Sequence, residues 1–402
     1  MSNTSELILL TNPLARREAP WTAAQDAILN DAGFARAKAT ITAWPGYAPT
    51  PLASLGGIAA VSGIGALYYK DEASRFGLGS FKALGGAYAV WRVLCDTAAE
   101  KGISPDDREA FTAHARTLTV TCATDGNHGR SVAWGAQTFG CNCVIFIHAT
   151  VSEGRKREIE RYGARIVRSA GNYDDSVHEA QVTADREGWI VVSDTSYEGY
   201  TDIPKDVMQG YELMAAEAIG QWPEAGPPTH IFLQTGVGGL AAAVAAQYWR
   251  RYGADRPMIV LVDPLQSACW LESIRAGQPT AVKGDLDTLM AGLACGEISA
   301  LAWEILRHCA DAVVGLSDDA AVDGMRMLAE GRHGDAPLVA GESAVAGLMA
   351  LVAAAADPEA RVTLQLDIGS RVLVFGTEGA TDPGLYREIV GRSPEAIRER
   401  LA

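Results

Sequence analysis

From about Thr117 onward, short apolar runs alternate with stretches whose apolar residues recur every three or four positions. Parallel strands joined by crossover helices produce this pattern, so the class is α/β. Strands are expected at Leu118 to Cys122, Asn142 to Ile147, Arg165 to Arg168, Ile190 to Val192, His230 to Gln234, Met258 to Val262 and Val372 to Phe375. Helices are expected at Gly129 to Phe139, Glu153 to Tyr162, Tyr173 to Arg186 and Leu240 to Tyr252. The longest apolar run, Ala344 to Ala356, reads as a buried helix and falls short of the roughly 18 residues needed to span a bilayer. The alternation breaks near Trp189 to Gly199, where a domain boundary is expected, and again at the Pro- and Gly-rich connection Gly220 to Thr229.

With 402 residues, 48% hydrophobic and 21% charged, the chain can bury the cores of two domains, which argues against disorder. A net charge of −15 opposes binding to nucleic acid or to an acidic membrane surface. The apolar patch Leu7 to Leu10 lacks a preceding basic segment, so no signal peptide is expected and the cytoplasm is the expected compartment. Seven cysteines, at 95, 122, 141, 143, 269, 295 and 309, show neither the density nor the even count of a disulfide scaffold. Cys141 and Cys143 share a strand face without a second pair at zinc-like spacing, so no metal is expected. Cys269 and Cys295 read as unrelated thiols, with a redox-sensitive pair as the alternative.

Four segments carry candidate chemistry. Ser80-Phe81-Lys82-Ala83-Leu84-Gly85-Gly86 follows the Gly-rich stretch Arg75 to Gly79 and opens a helical pattern. A lysine at a helix start is disfavoured as an ammonium by the helix dipole, which suits a neutral amine or a Schiff base. Thr124-Asp125-Gly126-Asn127-His128-Gly129 joins an apolar run to a helical pattern. Backbone N–H groups at such a turn suit a carboxylate, Thr124 adds a hydroxyl, and Asn127 can hydrogen-bond a phenolic oxygen. Gln234-Thr235-Gly236-Val237-Gly238-Gly239-Leu240 places glycines where backbone amides and a helix start can face a phosphate. Ala241 breaks the dinucleotide fingerprint, and no nucleotide P-loop sequence occurs. Gly376-Thr377-Glu378-Gly379-Ala380-Thr381-Asp382 supplies a hydroxyl at a strand end, the side of an open α/β sheet where ligands collect.

In this order the four segments resemble those of the β-family of pyridoxal-phosphate enzymes, fold type II, with the likeness running from about Leu55 to Asp382. The resemblance implies a large open twisted sheet domain, residues 1–88 and 192–402, that binds pyridoxal 5'-phosphate. A smaller α/β domain, residues 89–191, would be inserted into it and close over a small amino-acid substrate. It also implies a homodimer. Lys82 would carry the cofactor as a Schiff base, Asn127 would contact the ring oxygen, and Gly236, Val237, Gly238 and Gly239 would hold the phosphate. Thr377 would bond the pyridine nitrogen. A neutral hydroxyl there leaves the ring largely unprotonated, a weaker electron sink that favours prompt elimination.

Dehydratases of this family carry a small residue before the glycine of the G-N-H turn, whereas this chain has Asp125. With the segments Ser193 to Tyr200 and Asp202 to Tyr211, that departure makes the chain similar to members acting on diamino acids. The implied reaction is α,β-elimination of ammonia from D- and L-2,3-diaminopropionate, giving pyruvate and two ammonia molecules. A carboxylate in the pocket suits the second cationic nitrogen. On this reading Asp125 is base for the D-isomer's α-proton, Lys82 is base for the L-isomer's, and Asp194 orients the distal amine. A loop-capping role is the alternative for Asp194. Thr124, Gly126 and His128 complete the substrate site, His128 as a proton donor or as a structural hydrogen-bonding group. The rivals are a serine or threonine dehydratase or a β-replacing synthase on the same fold, and a non-catalytic binding protein. A nucleotide-dependent dehydrogenase is disfavoured by the broken glycine fingerprint.

Overall fold

The computed structural model describes residues 7–124, 126–171 and 173–401. Its strands, in chain order, are β1 (Ile8–Thr11), β2 (Leu52–Ser54), β3 (Ala66–Asp71), β4 (Thr119–Ala123), β5 (Asn142–Ile147), β6 (Arg165–Arg168), β7 (Ile190–Val191), β8 (His230–Gln234), β9 (Met258–Pro264), β10 (Ala312–Leu316) and β11 (Arg371–Gly376). One sheet has the order β1-β10-β9-β8-β11-β3-β2 and the other β6-β5-β4-β7. The first is parallel from β10 to β3, with antiparallel edge strands β1 and β2, and the second is parallel throughout. The α/β class expected from the sequence is the class found. Every expected strand is present within two residues of its expected ends. Four strands went unforeseen: β1, β2, β3 and β10. In β3, Lys70 and Asp71 end an otherwise apolar run, yet Lys70 is fully buried because partners from distant parts of the chain meet its charge.

The chain divides into two compact units, one of Met1–Asn30, Ala48–Ser80 and Met214–Ala402, the other of Asp31–Tyr47 and Phe81–Leu213. The smaller unit thus differs from the expected 89–191. Its extra residues belong there because helices pack: Ala83–Glu100 lies against both Asn127–Phe139 and Asp31–Thr42, and Trp44 meets Trp134 edge-on and Phe139 at a tilt. Glycines make the closest approaches. A Cβ on Gly85 would stand 2.4 Å from the Tyr211 ring, one on Gly86 1.9 Å from Ser131 Oγ, and one on Gly210 1.9 Å from the Leu84 carbonyl oxygen. The helix that begins with Lys82 is therefore clamped on two sides within its first turn.

The larger unit has its core on the seven-stranded sheet, where Phe232, Val260, Val314 and Val374 meet Leu348 and Leu351 of the helix Ala346–Ala356. Beside it sits a buried charge network. Arg75 bonds Glu72 and Glu217 at 2.8 Å each, Lys70 bonds Glu217 at 2.7 Å, and Thr50 donates to Glu72 at 2.6 Å. Two cations face two carboxylates, so the group is neutral as a set, the condition under which buried charges are tolerated. It fixes the bend at Arg75 and Phe76, where the backbone leaves helical geometry just before the glycines that precede Lys82. Among the described residues no helix is long and apolar enough to cross a membrane. Among the described residues no disulfide joins any of the seven cysteines.

Two glycines of one helix, Asp202–Gln221, separate packing from propensity. Gly210→Ala should destabilise the protein by about 1–3 kcal/mol, since the new methyl meets backbone that cannot rotate away. Gly220→Ala, with nothing within 4 Å of the new atom, should leave stability unchanged or raise it by up to about 1 kcal/mol. Urea unfolding of both variants checks the opposite signs.

Candidate active site

Lys82 occupies the N-cap of the helix Ala83–Glu100, where no side chain caps the helix. Its Nζ forms an ion pair with Asp194, lies 5.4 Å from the centre of the Phe81 ring and 5.8 Å from that of Tyr211. Phe81 and Tyr211 are both buried and pack on each other. The amine thus projects from a rigid helix start between an aromatic wall and a carboxylate. Asp194 belongs to the polar stretch after β7, and its Oδ2 is also 3.8 Å from His128 Nδ1. Burial alone would raise the Asp194 pKa. The Lys82 ammonium, assisted by His128, overturns that and holds the carboxyl well below the usual carboxylate range.

His128 is buried and donates from Nε2 to the Val192 carbonyl at 2.8 Å. This fixes the neutral tautomer with its bare nitrogen, Nδ1, on the side of Asp194. Burial lowers its pKa, against the pull of Asp194. The preceding turn is organised by Thr124, whose hydroxyl oxygen accepts from the N–H of Gly126 at 3.1 Å and of Gly129 at 3.2 Å. Those two amides, expected to face a carboxylate, serve the turn itself. Asn127 starts the helix Asn127–Phe139, and its side-chain oxygen accepts from Arg130. Arg130 was not singled out from the sequence, although its spacing of three from Asn127 on a helix is the signal that finds it. Asp125 lies outside the described residues.

The larger unit holds the other candidates. After β8 the chain turns through Thr235 to Gly238 into the helix Gly239–Tyr252, whose N-terminus has no side-chain cap. Gly238 has φ +97°, and a Cβ there would stand 2.3 Å from the Trp270 ring. A Cβ on Gly236 would stand 3.0 Å from Cys295 Sγ. The loop's carbonyls are tied back: Trp270 Nε1 donates to Gly236 O at 3.0 Å, and the Ser299 N–H donates to Val237 O at 2.9 Å. Asp263 anchors the assembly by accepting from the Thr235 hydroxyl and from the N–H groups of Trp270 and Leu271. Burial pushes the Asp263 carboxyl up to about 7, against those three donors. Asp263 and Trp270 escaped the sequence reading because neither belongs to a Gly-rich motif. Thr377, just past β11, is buried and accepts a hydrogen bond from Gln234 at 3.1 Å.

These features fit pyridoxal phosphate on chemical grounds. An uncapped helix start lined by glycines that admit no side chain suits a phosphate, and a hydroxyl whose own proton is free to donate suits a pyridine nitrogen. The chain belongs to the family of Pyridoxal-phosphate dependent enzymes, which matches residues 43–374. Over 356 residues it is 40% identical to the diaminopropionate ammonia-lyase of Escherichia coli (strain K12), covering 88% of this chain and 89% of that one. Its fold is similar to the crystal structure of the selenomethionine-incorporated holo diaminopropionate ammonia lyase from Escherichia coli, with a TM-score of 0.87, 35% identity and coverage of 96% and 97% of the two chains. The structure of the Escherichia coli enzyme in complex with an aminoacrylate-PLP azomethine reaction intermediate is also similar, with a TM-score of 0.82, 36% identity and the same coverage.

The ion pair gives a measurable sign. Because the Asp194 pKa is lowered in the fold, its contribution to stability is present above the unfolded value of about 3.9 and is lost as pH falls through the folded value. In cofactor-free protein, Lys82→Ala should raise the Asp194 pKa, as burial is then opposed chiefly by His128. That share of stability is then lost at higher pH than in the wild type. A carboxyl 13C titration of Asp194 in both proteins measures the shift, and an unmoved titration would show that Lys82 does not hold the charge.

Proposed function

We propose that this protein is a pyridoxal-phosphate-dependent ammonia-lyase that eliminates ammonia from D- and L-2,3-diaminopropionate. With one water the products are pyruvate and two ammonia molecules. The observation that carries the reading is the Lys82–Asp194 pair at an uncapped helix start, an amine held beside a half-buried carboxylate. The likeness to diaminopropionate ammonia-lyase supports the substrate.

When bound, the cofactor supplies an electron sink for the pair left at Cα after proton removal. The residues do the rest. Lys82 Nζ anchors the cofactor covalently and takes the α-proton of the L-isomer; Asp125 takes that of the D-isomer from the opposite face. Asp194, kept ionised in the resting protein, pairs with the substrate's distal ammonium and orients it for departure from Cβ. Asn127 donates to the ring oxygen, Gly236, Val237, Gly238 and Gly239 hold the phosphate, and Thr377 donates to the ring nitrogen. Thr124 and Gly126 shape the turn around the substrate carboxylate. The packing of Phe81 against Tyr211 keeps water from one side of the amine. A cytoplasmic homodimer completes the reading, by family resemblance.

Lys82→Ala should abolish both activity and the visible absorbance of bound cofactor, and a surviving covalent cofactor band would remove Lys82 from its role. Asp125→Asn should lower kcat for the D-isomer by about 100-fold or more, the scale of a lost general base, and for the L-isomer by less. Equal losses count against bases on opposite faces. Pyruvate release from diaminopropionate should far exceed that from serine or threonine, and the reverse ranking would favour a dehydratase.

A further inference from the structure

Gln234 closes β8 and is 3% exposed, and it stands behind Thr377. Its amide nitrogen donates to the Phe375 carbonyl at 2.8 Å and to Thr377 Oγ at 3.1 Å. A backbone carbonyl only accepts, so the bond to Phe375 decides which end of the amide faces Thr377. The other end cannot easily take its place. Its Oε1 lies where a Cβ on Gly347 would approach to 3.2 Å, against bare helix backbone, and has no hydrogen-bond partner among the described residues. The Thr377 oxygen therefore receives a proton from Gln234, and its own O–H is left to donate elsewhere.

We infer that Gln234 is a positioning residue that makes the Thr377 hydroxyl an obligate donor toward the ring nitrogen and so keeps that nitrogen unprotonated. The inference rests on the proposed reading of Thr377 as the ring-nitrogen partner. A pyridinium N–H would set donor against donor, which costs the desolvation of both groups in a buried site. Thr377 without Gln234 is ambivalent, because a hydroxyl that can rotate either accepts from a protonated ring or donates to a neutral one. Gln234 removes that choice. Preference for elimination over prolonged carbanion chemistry is thereby written into a residue that never touches the cofactor.

The test loads pyridoxal phosphate labelled with 15N in the ring into wild type, Thr377→Val, Gln234→Met and Gln234→Glu, and reads the ring-nitrogen resonance by NMR. Wild type should show an unprotonated, hydrogen-bonded nitrogen. Thr377→Val should displace the resonance toward a free pyridine, and Gln234→Met should displace it the same way by less. Gln234→Glu should move it in the opposite sense, toward the protonated value, because its carboxyl, protonated to donate to the Phe375 carbonyl, accepts from the Thr377 hydroxyl and turns a lone pair outward. Gln234→Met is neutral and similar in volume, which keeps the comparison open if the buried carboxylate disturbs folding. Unmoved resonances in both Gln234 variants, with Thr377→Val displaced, would overturn the role of Gln234. An unmoved resonance in Thr377→Val would overturn the reading of Thr377 itself.

Discussion

The chemistry proposed for this protein depends on where one amine is held. Lys82 sits at the first turn of a helix whose next residues cannot shift, since Gly85 and Gly86 are already in contact with Tyr211 and Ser131 at distances no side chain would allow. The dipole of that helix works against a permanent ammonium, and Asp194 works for it. The fold thus holds the amine between a helix start and a carboxylate.

Upstream, the neutral network of Lys70, Glu72, Arg75 and Glu217 secures the bend at Arg75 and Phe76 from which the chain runs on to Lys82. A buried set of this kind is weak evidence for stability but gives conformational specificity: each carboxylate has its donors only when the bend takes this one path. The pairing of Ser80 with Glu378 and of the Gly379 N–H with Gly79 O adds backbone hydrogen bonds to the same stretch. The glycines of Arg75 to Gly79 are therefore there for backbone reasons. Gly77 and Gly79 have φ near +71° and +79°, which other residues adopt only at a cost.

How much was legible in the sequence follows from this division. Strand-to-helix turns at Thr124 to Gly129 and at Gln234 to Gly239 announce themselves, because a turn that presents backbone N–H groups must be built from glycine and small polar residues adjacent in the chain. The buried sheet strands with uninterrupted apolar runs were equally plain. Strand β3 was not, as its lysine is compensated by Glu217, 147 residues away, a distance no local pattern reports. For the same reason Asp263, 28 residues from Thr235, stayed hidden, although it orients a residue the motifs did reveal. Thr124 was read as adding a hydroxyl to an anion site; its oxygen accepts from two N–H groups of its own turn, which leaves its O–H as the donating part. Motifs show which groups are present; hydrogen bonds decide which atoms remain available.

The charge balance around Asp194 ties the geometry to the proposed substrate. In the resting chain the Lys82 ammonium is the main influence holding that carboxyl low, against a burial that would raise it. On the proposed reading, engagement of Lys82 by the cofactor would take its ammonium from Asp194, which would keep the burial and gain a demand for another cation or a proton. A monoamino substrate such as serine brings a neutral hydroxyl to Cβ and leaves that demand unmet. A 2,3-diamino acid would bring a second ammonium to replace that partner, restoring a pairing the fold already contains. Selectivity of this kind is set by an unpaired charge that penalises the wrong substrate as much as by contacts that reward the right one.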